Sequence, residues 1–221
     1  AYGRATQAAA QALLARVYLN GKVYTGNDYF TQAASYAEKV INGSYRLHSN
    51  YSNLFKGDND KNNPETILAI NYDGVQTQNF GGTTYLINAA IGGTMNAADY
   101  GVPNGGWGGN RSRSPLPLQF GDFQNSADKR ALFFGSTTAI ENVNTFTEGV
   151  AVIKFNNKTS TGATPASVGG AYTSTDFPLF RLAEQHLIYA EAVLRGGAGS
   201  NATALGYVNA LRERAYGNAS A

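Results

Sequence analysis

The chain is most constrained by a pair of helical patterns at each end, every one of them followed by glycine, with a long middle that carries little helical period. From Ala5 to Asn20 the residues Ala9, Ala12, Leu13, Val17 and Leu19 follow helical spacing among Ala, Gln, Leu and Arg, all good helix formers, and Gly21 supplies a stop. Asn27 or Asp28 is placed to cap a second helix with Phe30, Ala33, Ala34, Ala37, Val40 and Ile41 on one face, ended by Asn42-Gly43. Asp176-Phe177-Pro178 opens a third helix through Leu179, Leu182, Ala183, Leu187, Ala190 and Leu194, stopped by Gly196-Gly197, since proline is tolerated in a first turn. Ser200 or Asn201 caps a fourth through Ala204, Leu205, Val208, Leu211 and Ala215, ending at Gly217. Short turns make each pair antiparallel, and small alanines allow close approach while Tyr18, Tyr24 and Tyr36 fill the seam.

Two such hairpins resemble tetratricopeptide units, which usually need three or more neighbours to bury a continuous core. The pairs must therefore pack on each other, on further helices, or on both. The expected fold is mainly α, with tetratricopeptide-like helical hairpins at 4–43 and 177–217 and a long irregular, loop-rich insertion at 44–176, in a single domain 1–221. A few short strands belong to that insertion. Thr66 to Tyr72 and Val150 to Phe155 read as extended, Phe120 to Phe123 and Asp128 to Phe134 as short helical stretches, and Asn156 to Thr175 as a mobile surface loop.

The most distinctive stretch runs from Gln78 to Ser114. Paired glycines recur at Gly81-Gly82, Gly92-Gly93, Gly105-Gly106 and Gly108-Gly109, and between them stand Phe80, Tyr85, Tyr100 and the single tryptophan, Trp107. Such a stretch reads as a set of shaped loops. Around the aromatics lie Asn79, Asn104, Asn110, Arg111 and Arg113, planar groups that donate in directional forks. Flat aromatic faces bordered by such groups suit a sugar ring, apolar on one face and hydroxyl-lined at its rim. The alternative is that Trp107 folds back and plugs the core beneath the loop.

Several function classes are disfavoured. With 14% charged residues and a formal charge of +2 spread without a basic block, the chain is a poor match for nucleic acid. It has no cysteine, hence no disulfide framework, thiol nucleophile or cysteine-bound zinc. No Gly-x-Ser-x-Gly elbow, HExxH helix or P-loop is present, and the scattered Asp and Glu residues single out no pair for glycoside hydrolysis. His48 lies in a loop, and His186 falls beside the apolar face of the third helix, where a core histidine is the plainer reading. Asp58-Asn59-Asp60 begins like a calcium loop but lacks the glycine at the sixth position and the glutamate at the twelfth. An enzyme is disfavoured, leaving a non-catalytic binding module or a protein-interaction scaffold of helical repeats.

The order of the motifs then resembles one family. GRATQAAAQALLARVYLNGKVYTG at the N-terminal end, a DND loop, PETILAINYDG, TQNFGGTTYL, NGGW and TDFPLFRLAEQHLIYAEAVLRGG follow one another as in the SusD/RagB family, the glycan-capturing outer-membrane lipoproteins of Bacteroidetes, from Gly3 to about Tyr216. YDG, TQNFGG and NGGW look most like its starch-binding branch. The resemblance implies a surface-exposed outer-membrane protein that takes part in polysaccharide utilisation and glycan uptake, binds glycan without chemistry, requires no cofactor, and is partnered with a TonB-dependent SusC-like transporter. It also implies that this chain is a fragment lacking N- and C-terminal parts, the lipid anchor among them. Phe80 stands where the starch branch has a tyrosine and Trp107 where it has its loop tryptophan, and the loop is lengthened here to Asn104-Gly105-Gly106-Trp107. Phe80 and Trp107 are thus expected as stacking platforms for an α-glucan, with Asn79, Tyr85, Asn110 and Arg111 as hydrogen-bonding neighbours. Some relatives hold calcium between a loop like Asp58-Asn59-Asp60 and acids before the third helix, which makes Asp60 and Asp176 the candidate ligands of a structural calcium.

Overall fold

A computed structural model describes residues 2–217. In chain order the elements are α1 (Gln7–Leu19), α2 (Gly21–Thr25), α3 (Phe30–Ile41), β1 (Thr66–Ile70), α4 (Gly82–Ala90), β2 (Phe133–Phe134), β3 (Ala151–Val152), β4 (Phe177–Arg181), α5 (Leu182–Leu194) and α6 (Asn201–Tyr216), with short 3-10 turns between them. The mainly helical fold is the expected one. The chain divides into two compact units, one made of the residues up to Ser49 with Asn63–Ile70 and the residues from Pro178 on, the other of Asn50–Asn62 and Asn71–Phe177.

In the helical unit α3 packs on both α1 and α5, and α5 packs on α6. The seam works because alanine lets backbones close up: Ala12, Ala15, Ala33, Ala37 and Ala192 are fully buried, and Tyr18 stacks on Tyr36 at 5.6 Å beside them. Caps fix the helix ends. Thr6 accepts from the Ala9 N–H at the start of α1, and Ser200, rather than Asn201, accepts from Thr203 at the start of α6. Gly217 ends α6 in the left-handed conformation. Beside this core Glu65, completely buried, takes Arg181 on one oxygen at 2.7 Å and Arg214 on the other. The His48 N–H donates to the same carboxylate at 2.8 Å.

Four expectations fail here, each for a local reason. Gly21 does not end the first helical run but begins α2, because its missing Cβ leaves room for the Tyr29 ring, which a methyl would meet at 2.5 Å. The left-handed residue that stops the run is Gly26. Neither Asn27 nor Asp28 caps α3; its N-cap is Tyr29 without a side-chain bond, and Asp28 pairs with Lys22 instead. Residues 177–181 form strand β4 next to β1 rather than the first turn of a helix, so α5 begins at Leu182. An available backbone edge outweighs the helix-start reading of Phe-Pro. Tyr24 is 70% exposed and fills no seam.

The loop-rich unit buries Tyr51, Leu54 and Phe55 in one cluster and Ile87, Ile91 and Val102 in another. Its sheet is minimal: β2 pairs antiparallel with β3, Phe133 opposite Val152, which replaces the helix expected over Asp128 to Phe134. Nor is 156–175 a free surface loop throughout. Asn157, Thr173 and Thr175 are buried, and the Asn157 side chain accepts from the Ser174 N–H at 2.9 Å and donates to the Gly101 carbonyl at 3.0 Å.

Candidate functional site

Helix α4 positions the candidate site, and it lies inside the glycine-rich stretch that sequence reasoning took for loops throughout. Gly81 precedes it in extended conformation. Gly82 opens it at a φ of +55°, where a Cβ would collide with the Tyr72 hydroxyl. Ile87, Asn88, Ala89 and Ala90 face inward, whereas Tyr85 is 47% exposed on the outer side. The last carbonyls of a helix lack internal partners. Here the following loop supplies them: the N–H groups of Trp107, Asn110 and Gly108 donate to the carbonyls of Asn88, Ala89 and Ile91 at 2.8, 2.8 and 2.9 Å. That contact explains two glycines. A Cβ on Gly106 would lie 2.1 Å from the Ile91 carbonyl oxygen, and one on Gly92 would lie 2.8 Å from the Gly108 Cα.

The loop thereby presents Trp107 outward, with 45% of its surface exposed beside Phe80 at 58%. Their ring centroids are 6.0 Å apart with planes tilted 59°, and Tyr85 stands 6.3 Å from Trp107 at 51°. Sequence reasoning missed a further ring, Tyr172, half-buried and 5.0 Å from Phe80 at 39°. Its anchor is a buried hydroxyl pair: the Thr173 N–H donates to Thr84 Oγ1 at 3.1 Å, and the two threonine hydroxyls lie 3.2 Å apart. The Asn104 side-chain amide also donates to the Gly169 carbonyl, tying the tryptophan loop to the segment that carries Tyr172. Nothing near Tyr172 in the sequence signals this, because 92 positions separate it from Phe80.

Of the polar candidates, Asn110 accepts from the Tyr85 hydroxyl at 3.3 Å and so belongs to the aromatic cluster. Asn79, exposed beside Phe80, uses its side-chain oxygen on the Gly81 N–H, shaping the entry to α4. Arg111 is engaged differently. Its guanidinium donates to the carbonyls of Val143, Thr145 and Glu148 and lies 5.1 Å from the Phe146 ring centre, so it shapes the loop at 143–148.

Asp60 and Asp176 line one cavity with Asp58 and Asp73. Asp58 accepts the Ser160 N–H at 2.7 Å and the Ser160 hydroxyl at 2.6 Å, and buried Asp176 accepts the Tyr72 N–H at 2.7 Å. Asn59 crosses between them, with its amide donating to the Asp176 carbonyl and its oxygen accepting the Asp176 N–H, both at 2.9 Å. Among the described residues no group of three or more acids or histidines is arranged to hold a metal. His186 is buried and stacks on Tyr207 at 4.7 Å, in the core position expected of it. At Asp122 a hydrogen bond from Asn125 pulls the carboxyl below its usual range, opposite to what a glycosidic general acid needs.

The SusD family model matches residues 118–221. The starch-binding protein SusD of Bacteroides thetaiotaomicron is 37% identical over an alignment of 259 residues that takes in 97% of this chain and 46% of that protein. The chain thus spans about half the length of this curated relative. Surface glycan-binding protein A from Bacteroides thetaiotaomicron superposes with a TM-score of 0.71 at 19% identity, over 97% of this chain and 48% of that one. The same protein in complex with laminarihexaose gives 0.69 at 21% identity, again over 97% and 48%. Those two likenesses show the fold.

Proposed function

The chain belongs to the SusD family, and from that premise we propose that it is a non-catalytic glycan-binding module whose preferred ligand is an α-glucan. The observation that carries this reading is the exposed cluster of Phe80, Trp107, Tyr85 and Tyr172, fixed to the end of α4 by backbone hydrogen bonds. Successive ring planes tilt by 39° to 59°, so no two neighbours offer a single flat surface. A glucan that curves from one residue to the next meets such rings better than a flat ribbon does. The 37% identical relative is named for starch binding, which agrees with that choice. Asn79, Asn110 and the Tyr85 hydroxyl are the proposed partners of sugar hydroxyls, and Arg111, spent on carbonyls, is assigned to holding the neighbouring loop.

Stacking on an aromatic is worth about 1–3 kcal/mol per base in nucleic-acid binding. Taken over to sugars, two or three rings barely exceed the roughly 4 kcal/mol of a millimolar complex once ordering costs are deducted. Weak single-site affinity is the expected regime, strengthened on a polymer by repeated engagement. The working protein is read as anchored at the outer surface of the outer membrane and handing glycan to a SusC-like transporter, with 1–221 as part of one SusD-like domain. A structural calcium, where one is bound, is assigned to Asp60 and Asp176, which line one cavity with Asp58 and Asp73.

Affinity electrophoresis in gels containing amylopectin, dextran, inulin or xylan tests the reading. Retardation by amylopectin that disappears in Trp107→Ala supports it, whereas retardation only by another polymer moves the specificity, and none at all removes the function. A second reading, a helical scaffold that grips a protein, has its own observation. Leu13 and Val17 on α1 and Val23 and Tyr24 on α2 are 45–80% exposed. If that face meets the transporter, Leu13→Glu with Val17→Glu abolishes co-purification with a SusC-like protein and leaves glucan retardation unchanged.

A further inference from the structure

We propose that the cleft on the far side of Gly108 from the Trp107 loop, walled by Phe146 and Phe134, is a second subsite that takes one more sugar residue of the same glycan. The proposal rests on the glycan-binding reading and extends it to residues that neither the sequence motifs nor the relatives single out. The cleft holds about 260 Å³, just below the roughly 300–1,000 Å³ of pockets that enclose whole small ligands. That size suits a single pyranose ring.

Its chemistry matches the first site without repeating its residues. Phe146 is 46% exposed and Phe134 37%, giving two apolar faces open to solvent. Thr94, Ser136, Thr137 and Thr147 also line the cleft and bring four hydroxyl-bearing side chains to it. Gly92, Gly108 and Gly149 contribute backbone to its lining. Apolar faces bordered by hydroxyl-bearing residues suit a polyhydroxylated ring better than a lipid.

The two sites share one stretch of backbone. Gly108 follows Trp107 directly, and a Cβ on Gly108 would come within 3.4 Å of the Phe146 ring. The far wall is also held in place before any ligand arrives. Arg111 clamps three carbonyls of the 143–148 loop, and the Glu148 carboxylate accepts the N–H groups of Glu141 and Asn142 at 2.6 and 2.7 Å. Arg111 also lines the cleft. Preformed walls lower the ordering cost of binding.

The test is calorimetric titration of the 221-residue protein with maltotriose, maltoheptaose and laminarihexaose. Phe146→Ala removes one wall, and Ser136→Trp, at an exposed position of the lining, fills the cleft. Both variants are expected to bind the longest glucan that the wild type accepts about tenfold more weakly, one stacked ring's worth. Both should bind maltotriose as before, while Trp107→Ala loses every ligand. Unchanged affinity for the long glucan in both variants overturns the subsite and leaves the glycan-binding function standing. Equal loss of maltotriose and long glucan in both variants also overturns it, because the cleft would then act only through the first site. A wild type that binds none of the three sugars overturns the function and the subsite together.

Discussion

The Trp107 backbone N–H donates to the Asn88 carbonyl at 2.8 Å, so the position of the exposed indole is set by the end of a buried helix. Asn88 is itself fixed, 2% exposed with its side-chain amide donating to the Thr84 carbonyl at 2.9 Å. Thr84 in turn holds Thr173 beside Tyr172. The first and last turns of α4 therefore place two rings on which the proposed function depends, and neither ring needs local packing of its own.

Gly106 should be intolerant of any side chain and Gly105 much less so. A methyl on Gly106 would sit 2.1 Å from the Ile91 carbonyl oxygen, which forces the loop off α4, while one on Gly105 meets nothing within 4 Å and pays only for a φ of +87°. Gly106→Ala is expected to lose amylopectin retardation with a change in melting temperature of only a few degrees. Gly105→Ala should cost about 1 kcal/mol of stability and keep most of the binding. Equal retardation of the two variants would count against a site positioned by the loop contact.

Much of the helical unit was legible because its signals are local: Ala spacing, Ser200 and Gly217 each act within a turn of themselves. The failures at Gly21 and Phe177 share a cause. There a distant partner, Tyr29 against one glycine and the β1 edge beside the other segment, outweighed what the nearest neighbours favoured. Helix α4 escaped notice because β-branched Thr83 and Thr84 and flanking glycines speak for loop, and burial of Ile87 to Ala90 overrides them. In the candidate site Phe80, Tyr85, Trp107 and Asn110 converge as their pattern indicated, whereas Tyr172 is brought in by tertiary hydrogen bonds with no sequence period. Arg111 was read as a planar donor, which it is, but its acceptors are carbonyls of its own chain.

Removal of single rings should scale with their place in the cluster. Trp107 neighbours both Phe80 and Tyr85, so Trp107→Ala is expected to abolish measurable binding, and Phe80→Ala and Tyr172→Ala to weaken it roughly five- to 100-fold, as loss of one stacked ring implies. The fold should survive the loss of Trp107 or Phe80, because both are largely exposed. Titration with maltoheptaose alongside circular dichroism measures both quantities. Wild-type affinity in Tyr172→Ala would remove that ring from the site.

The Glu65 network predicts a stability effect with no direct binding effect. Truncating one partner of a buried ion pair costs about 3–5 kcal/mol, and Glu65 serves Arg181, Arg214 and the His48 N–H at once. Glu65→Gln should therefore lower the melting temperature by about 10 °C, given roughly 2–4 °C per kcal/mol in a chain of this length. Glucan retardation at low temperature should persist, since the aromatic cluster lies in the other compact unit. A change below about 2 °C would show the network to be nearly neutral.

His186 adds a pH dependence whose sign is fixed by its surroundings. Burial lowers its pKa below the ordinary histidine value; a Tyr207 backbone hydrogen bond and the Glu65 charge oppose this in part, and the Arg214 charge adds the smallest effect, a further lowering. The unfolded chain thus takes up a proton at a pH where the folded protein does not. Stability from this group falls as pH drops below about 6.5 and is fully present above it. The melting temperature should accordingly rise between about pH 5 and pH 7, and the rise should flatten in His186→Gln, which keeps a polar group against Tyr207 but cannot titrate. A slope unchanged in the variant would assign the pH dependence to the carboxylates, and a slope of opposite sign would mean that the imidazole is held charged in the core.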